Sequence, residues 1–288
     1  MRVIYDRTVT CDCSCGGLRI HYPARDGFVE YTFVHSAVPE KNCDIWRMSV
    51  VSALDAKGDF LHPLTKSHAE WEMAVRLENR PDFIGGYNHG DEIGEAPVFR
   101  LDGEVITLKE LTQWREFSTL EITVESTGFD PASPSVEVLK HHKSYVYDEA
   151  GVHLSQSVTW VKDAVLDRKF KSFLAMMPPL KHLPQNEGQI ITDSFSFSGT
   201  TVPITKLPLE NRKTHQITVA GEESGFVYTM SVENYDPIYP NSYLGLLTDN
   251  GNMNYNKMYI AFAGASPDKI PAGTVWNAVT HYKIEKRA

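Results

Sequence analysis

The chain has 288 residues, 42% of them hydrophobic and 23% charged, with a formal net charge of −9. That length buries a sizeable core, and the balance is that of a globular protein rather than a disordered or fibrous one. The acidic charge argues against nonspecific nucleic-acid binding, which needs a basic surface, and against attraction to an anionic membrane. No apolar run approaches the roughly 20 residues of a membrane-spanning helix.

The first residues, Met1-Arg-Val-Ile-Tyr-Asp-Arg7, contain no apolar signal core. The expected location is therefore cytoplasmic, or secreted with the signal peptide already removed. Cys11, Cys13 and Cys15 alternate and Cys43 stands alone. Structural zinc draws on Cys-x2-4-Cys pairs joined by a second pair or by histidines, so these are expected to be incidental reduced thiols. Four cysteines in a chain this long are no disulfide scaffold either.

Residues 28–34 alternate apolar and polar positions and read as a strand. Arg47 follows Trp46, a pair that fits sugar stacking and carboxylate binding, or a framework arginine lying along apolar surface. Residues 65–77 are predicted as a short helix, capped by Thr65 or Ser67 with Glu70 placed for a capping box. On that helix Trp71 faces the core, and one of Glu70 and Glu72 faces solvent.

The segment Asp82-Phe-Ile-Gly-Gly-Tyr-Asn-His-Gly-Asp-Glu92 gathers three glycines, an amide, an imidazole and carboxylates into eleven residues. Glycines allow sharp turns and close backbone approach to a ligand. A histidine among an amide and carboxylates moves protons near neutral pH or holds a metal. His89 is thus the foremost catalytic candidate, with Asn88, Tyr87 and Glu92 as substrate-binding candidates. The structural alternative is a tight turn in which Asn88 and Asp91 cap backbone groups. No cofactor is expected, and a divalent cation held by His89, Asp91 and Glu92 is the metal alternative.

Residues 108–117 are a second predicted helix, in which Trp114-Arg115 repeats the aromatic–arginine pairing and makes Arg115 a substrate-binding candidate like Arg47. Residues 120–125 alternate as a strand. His141 and His142 come next; on a strand they point to opposite faces, so one cleft can receive only one of them. Lys140 and Lys143 flank them and disfavour protonation, which suits a base, while a solvated strand end is the plain alternative. The clearest hairpin has arms at 143–148 and 152–160 around Glu149-Ala-Gly151. Its His153, Ser155 and Ser157 share one wet face.

Further strands are predicted at 169–176, 189–197, 225–232, 257–262 and 275–284. In the Asn-rich turn at 252–257, Tyr255 beside Lys257 can serve as acid or base. The amides of Asn254 and Asn256 suit sugar hydroxyls, although such turns also satisfy their own backbone. With many strands, little helix, no repeat and no linker, the expected class is all-β. The expected architecture is one large antiparallel β-sandwich domain over residues 1–288 with one or two short helices.

The order of central hairpin, Asn256-Lys-Met-Tyr259 strand, then Gly273-Thr-Val-Trp276 and a closing strand resembles the galactose-mutarotase-like super-sandwich. This is the fold of aldose epimerases and of the β domains of several polysaccharide lyases, and the resemblance covers about residues 28–284. It implies a carbohydrate substrate. Such lyases commonly show an Asn–His pair plus a tyrosine. Here Asn88 would bind the substrate carboxylate, His89 or His142 would take the proton, and Tyr255 or Tyr145 would protonate the leaving oxygen. The alternatives are an epimerase or mutarotase with Glu92 as base, a glycoside hydrolase with a carboxylate pair, and a noncatalytic glycan-binding or virion-surface module. The chain has no Gly-x-Ser-x-Gly elbow, Walker loop, dinucleotide fingerprint or His-Glu-x-x-His.

Overall fold

Alternating runs set the architecture in a computed structural model that describes residues 1–9, 14–65, 71–167, 173–180, 194–197, 200–203, 216–220, 225–235, 243–247, 256–261 and 269–286. An antiparallel meander opens the chain: β1 (Arg2–Asp6), β2 (Ser14–Ala24), β3 (Gly27–Val38) and β4 (Cys43–Asp55), each paired with the next. β5 (Phe60–Pro63) adds to β4. β6 (Met73–Arg76) and β7 (Phe83–Ile84) form a hairpin in a second sheet, followed by the single-turn helix α1 (Gly86–His89). β8 (Glu92–Gly94) runs parallel to the start of β4. β9 (Val98–Leu101) and β10 (Glu104–Ile106) make a small hairpin, and β11 (Arg115–Glu116) joins β1.

A second long meander follows: β12 (Leu120–Asp130), β13 (Ser133–Asp148) and β14 (Gly151–Trp160), with β8 and β9 along the outer edge of β12. After it come β15 (Ala164–Val165), β16 (Phe173–Leu180), β17 (Ser194–Phe197), β18 (Thr200–Pro203), β19 (Gln216–Ala220) and β20 (Phe226–Tyr235). The last strands are β21 (Tyr243–Leu247), β22 (Asn256–Ala261), β23 (Lys269–Ile270) and β24 (Val275–Lys286), with β24 lying between β14 and β20. Among the described residues the main sheet has 17 strands, and the second orders five as β21-β22-β16-β6-β7. The protein is all-β and mostly antiparallel, with very little helix.

One core joins both sheets, because Met73, Val75 and Ile84 of the second pack with inward residues of the first. Its largest members are aromatic: Trp160 lies edge-on to Trp276 at 5.1 Å, and Trp71 to Tyr282 at 5.2 Å. Complete burial of each apolar side chain contributes about 1.5–3 kcal/mol. Of the expected strands, 28–34 falls within β3, 120–125 within β12, and the hairpin is formed by β13 and β14. Cys43 is buried and free, whereas Cys11 and Cys13 lie outside the described residues.

Both helix expectations need correction. Within 65–77 the chain forms β6 instead, and residues 66–70 lie outside the described set. Met73, Ala74 and Val75 are all buried, and β6 is held between β7 and β16. Ladder pairing with a shared core outweighs a local capping signal. Trp71 is in the core as expected, but Glu72 is buried with it rather than solvated. At 108–117 only a 3-10 turn forms, Leu108–Leu111. It has a genuine capping box, in which the Thr107 backbone N–H donates to Glu110 Oε2 at 2.7 Å. Pairing of Val3 with Arg115 and Arg2 with Glu116 then draws the chain into β11.

Candidate functional site

Side-chain alternation along β13 turns Leu139, His141, Lys143, Tyr145 and Tyr147 inward, all fully buried, and leaves Lys140 and His142 outside. Cross-strand register sets Ser126 of β12 opposite His141, and Gln156 of β14 opposite Lys143. An apolar sheet face thus carries a polar island.

Glu92, entering from β8, is its hub. Its Oε1 accepts from Lys143 Nζ at 2.9 Å and Ser126 Oγ at 2.6 Å, with His141 Nδ1 at 3.3 Å. Its Oε2 accepts the backbone N–H of Gly86 at 2.9 Å. His141 Nε2 lies 2.8 Å from Gln156 Oε1. Burial alone would raise the Glu92 carboxyl, but the Lys143 ammonium, with His141 and Ser126, holds it well below the usual carboxylate range.

Two positions farther along β13, Tyr145 donates its hydroxyl to Glu72 Oε1 at 2.6 Å, and the backbone N–H of Trp71 donates to Glu72 Oε2 at 3.2 Å. Burial and the adjacent Glu72 push the Tyr145 hydroxyl well above its ordinary value. Tyr145 is therefore a committed hydrogen-bond donor in the core and unsuited to protonating a leaving group.

The same Glu92 pins the loop that carries His89. Gly85 and Gly90 bracket α1 with φ of 119° and 91°. A Cβ at Gly85 would stand 2.5 Å from the Met73 carbonyl oxygen, and one at Gly90 2.2 Å from that of Lys41. Only glycine fits either place. Backbone bonds from Gly85 N to Gly90 O (2.9 Å) and from Asp91 N to Lys41 O (2.8 Å) close the loop and tie it to the 3-10 turn Pro39–Lys41 just before β4.

On this loop His89 Nδ1 meets Asp82 Oδ1 at 2.8 Å, and the ring lies 4.7 Å from Phe83. The side chain of His89 is 21% exposed and that of Asp82 51%. Asn88 is exposed, and its carbonyl accepts from Lys41 Nζ at 2.6 Å. The Tyr87 ring packs against Val38, Cys43 and Ile45, with the Arg47 guanidinium 4.7 Å and the Lys41 ammonium 5.4 Å from its centroid. Asp91 receives the Asn42 amide at 3.3 Å. Burial raises the Asp91 carboxyl, helped by the charges of Asp82 and Asp130.

The structure thus gathers Tyr87, Asn88, His89, Glu92 and Arg47 around α1. Arg47 is fully buried and donates to Ser36 Oγ and to the Met48 carbonyl, both at 3.1 Å, bonds that tie it to the fold. His142 is on the outer face, exposed and paired with Glu125; its neighbour His141 is the histidine that joins the island. Arg115 is exposed on β11, beside a separate cluster in which Trp114 lies 4.5 Å from Arg2 and 4.2 Å from His21. Tyr255 lies outside the described residues, and Lys257 is placed by its backbone alone, opposite Leu247.

Glu92 turns inward while Asp91 and His89 have partners of their own. Among the described residues no group of three or more His, Cys, Asp or Glu side chains is placed to hold a metal ion. Burial and the Glu92 charge push the Cys43 thiol up to about 12, so this cysteine is no nucleophile. Ser126 and Gln156 had no role in the sequence reading, Lys143 entered it only as a flanking charge beside the histidines, and Glu72 only as a residue of the predicted helix. One signal was available: His141, Lys143, Tyr145 and Tyr147 share the parity of a single strand face.

No family model matches the chain, and no curated protein matches it. Among solved structures it is similar to galactose 1-epimerase from Lactobacillus acidophilus NCFM, at 9% identity over 99% of both chains with a TM-score of 0.46. It is also similar to a GH36 alpha-galactosidase from Geobacillus stearothermophilus, at 11% identity over 93% of this chain and 41% of that one, TM-score 0.47. A third likeness is to a mutant heparan sulfate lyase from Pedobacter heparinus, at 10% identity over 98% of this chain and 36% of that one, TM-score 0.45. These are weak, fold-level likenesses. Among the described residues no helix is long and apolar enough to cross a membrane.

Proposed function

We propose that this protein acts on a carbohydrate by proton transfer at a sugar-ring carbon, as a uronate-type glycan lyase with His89 as the proton carrier. The observation that supports this reading is the 2.8 Å contact between His89 Nδ1 and Asp82 on a partly exposed loop. A carboxylate on Nδ1 orients the imidazole and assigns proton exchange to Nε2. Nε2 takes the proton from the carbon next to the substrate carboxylate. The freed electron pair forms the ring double bond as the bond to the leaving oxygen breaks, and that oxygen takes a proton from an acid, the role given to Tyr255. The Asn88 amide, exposed on the same turn, binds the substrate carboxylate and so acidifies the carbon beside it. No cofactor is required by this chemistry. The net charge of −9 favours a short or sparsely charged glycan.

Glycoside hydrolysis is the second reading, and one observation favours it. Burial raises the Asp91 carboxyl, and Asp82 stands half exposed on the same loop, so these two are the candidate carboxylate pair for that chemistry. An epimerase with Glu92 as base is disfavoured, because four donors already surround that buried carboxylate.

Incubation with a panel of uronate-containing and neutral glycans separates these readings. A lyase generates the ultraviolet absorbance of a conjugated unsaturated uronate, and His89→Ala abolishes it while the chain still folds. Reducing ends released without that absorbance mark a hydrolase. Binding that survives His89→Ala, with no turnover by either chain, marks a noncatalytic module. A panel that gives no unsaturated product sinks the lyase reading.

A further inference from the structure

Glu92 holds the start of α1 from inside, through the Gly86 N–H. The end of the same helix is held from outside, by the turn that joins β3 to β4. Val38 pairs with Cys43 across that hairpin, and Pro39–Lys41 form a single 3-10 turn between them. Asn42 closes the turn in the left-handed region, at φ 50° and ψ 47°, with its N–H on the Pro39 carbonyl at 3.0 Å. Asparagine tolerates that conformation better than most residues, so the turn has a defined shape.

Four contacts run from this turn to the His89 loop. The Lys41 carbonyl accepts the Asp91 N–H at 2.8 Å, and the Lys41 ammonium donates to the Asn88 carbonyl at 2.6 Å. The ammonium also lies 5.4 Å from the centre of the Tyr87 ring, and the Asn42 amide donates to Asp91 Oδ1 at 3.3 Å. Asn42 is tied in turn to the first residues of β13, where the Pro134 carbonyl lies 3.4 Å from its amide nitrogen.

Of these contacts, the one to Asn88 bears on the chemistry. The last carbonyls of a helix have no partner within it, and a lysine side chain is a common outside donor for them. In α1 the Gly86 carbonyl takes the Gly90 N–H at 3.0 Å, and the Asn88 carbonyl takes Lys41. The Asn88 carbonyl and the His89 N–H belong to one planar peptide unit. That unit turns as a whole, changing ψ of Asn88 together with φ of His89. Fixing its oxygen therefore fixes the directions in which the Asn88 amide and the His89 imidazole leave the backbone. The 2.8 Å contact of His89 Nδ1 with Asp82 relies on that direction.

We propose that Lys41 is a positioning residue for the proton transfer assigned to His89, its ammonium locking the peptide plane between Asn88 and His89. The assignment rests on the lyase reading above and adds to it the group that aligns its base with its carboxylate-binding amide. Lys41 itself touches neither the reacting carbon nor the leaving oxygen in this scheme.

The test compares Lys41→Met, which keeps an unbranched stem and removes the ammonium, with Lys41→Arg, which restores a cationic donor. Both are assayed on the uronate-containing glycan panel, with denaturant unfolding run alongside. The methionine variant should lose about ten- to a hundredfold in kcat, the scale of a small misplacement of reacting groups. Its unfolding midpoint should stay at the wild-type value, and the arginine variant should recover most of the rate. Unchanged kcat in Lys41→Met overturns the proposal, and so does a loss that follows the unfolding midpoint without rescue by arginine. Amide exchange and the ring ¹⁵N signals of His89 give a second reading that needs no substrate. If the wild-type chain yields no unsaturated product, the lyase reading falls and these signals decide on Lys41 alone. Faster exchange at His89 and Gly90 with altered ring signals, reversed in Lys41→Arg, supports the lock. Signals identical to the wild type overturn it.

Discussion

Two regions of this molecule hold nearly the same chemistry and differ in access to solvent. The island around Glu92 combines a carboxylate, an ammonium and an imidazole, all sealed within the sheet interior. The loop around His89 combines a carboxylate and an imidazole at the surface, with Asp82 half exposed. Groups that water and substrate cannot reach hold their neighbours in place; groups that they can reach are able to exchange protons. A hydrogen bond from Gly86 N to Glu92 Oε2 joins the regions, and through it the interior helps to set the position of the outer loop.

The largest break in this contrast is expected from Lys143→Met, which strands the Glu92 charge in the core. Removing one partner of a buried ion pair costs about 3–5 kcal/mol, and denaturant unfolding near neutral pH measures it. The pH dependence has a definite sign. In the natural chain the folded Glu92 carboxyl lies below its ordinary value of 4.5. Its contribution is therefore complete above the ordinary carboxylate range and fades as pH falls through the lowered folded value. Without Lys143 the buried carboxylate is raised instead, so the deficit of the variant should shrink on acidification. A deficit that stays flat across the carboxylate range contradicts the assigned role of Lys143.

Gly90→Ala strikes the junction of the two regions. Its Cβ would collide with the Lys41 carbonyl oxygen at a φ of 91°, a strain of about 1–3 kcal/mol. Both thermal stability and glycan turnover should fall, since the loop must move to relieve the clash. Tyr145→Phe should cost about 1–3 kcal/mol by taking a donor from buried Glu72, with turnover unchanged. The smallest effects on stability, within about 0.5 kcal/mol, belong to His89→Ala and His142→Ala. These two part on activity: the first should lower turnover by about 10²–10⁴, the second should leave it alone. Equal loss of turnover in both would erase the distinction between the loop and the outer face of β13.

Much of the fold was legible along the chain because strand period shows directly in sequence. Residues 28–34, 120–125 and the two hairpin arms alternate as their strands do. The glycine-rich loop was legible as well, since paired glycines at positive φ mark backbone that side chains rarely adopt. Legibility ended where long-range pairing decided the outcome. Residues 73–76 pair on one side with β16, which is distant in sequence, and no local signal announces that. The opposite facing of His141 and His142 was readable, but not which of them turns inward. The place of Arg47 after Trp46 left a ligand-binding and a framework role open, and burial of the side chain was not readable from it.

By itself, the sequence determined the all-β class, the main hairpin and the loop that carries His89, because each depends on local backbone preference and the period-two pattern of side chains. Only the tertiary structure decided that Asp82 is the partner of His89, and that Glu92 leaves the loop to meet Lys143, Ser126 and His141. Those contacts join residues up to 51 positions apart. Which of many chemically equivalent groups meet is set by strand register and core packing, where a shift of one residue turns every side chain to the other face.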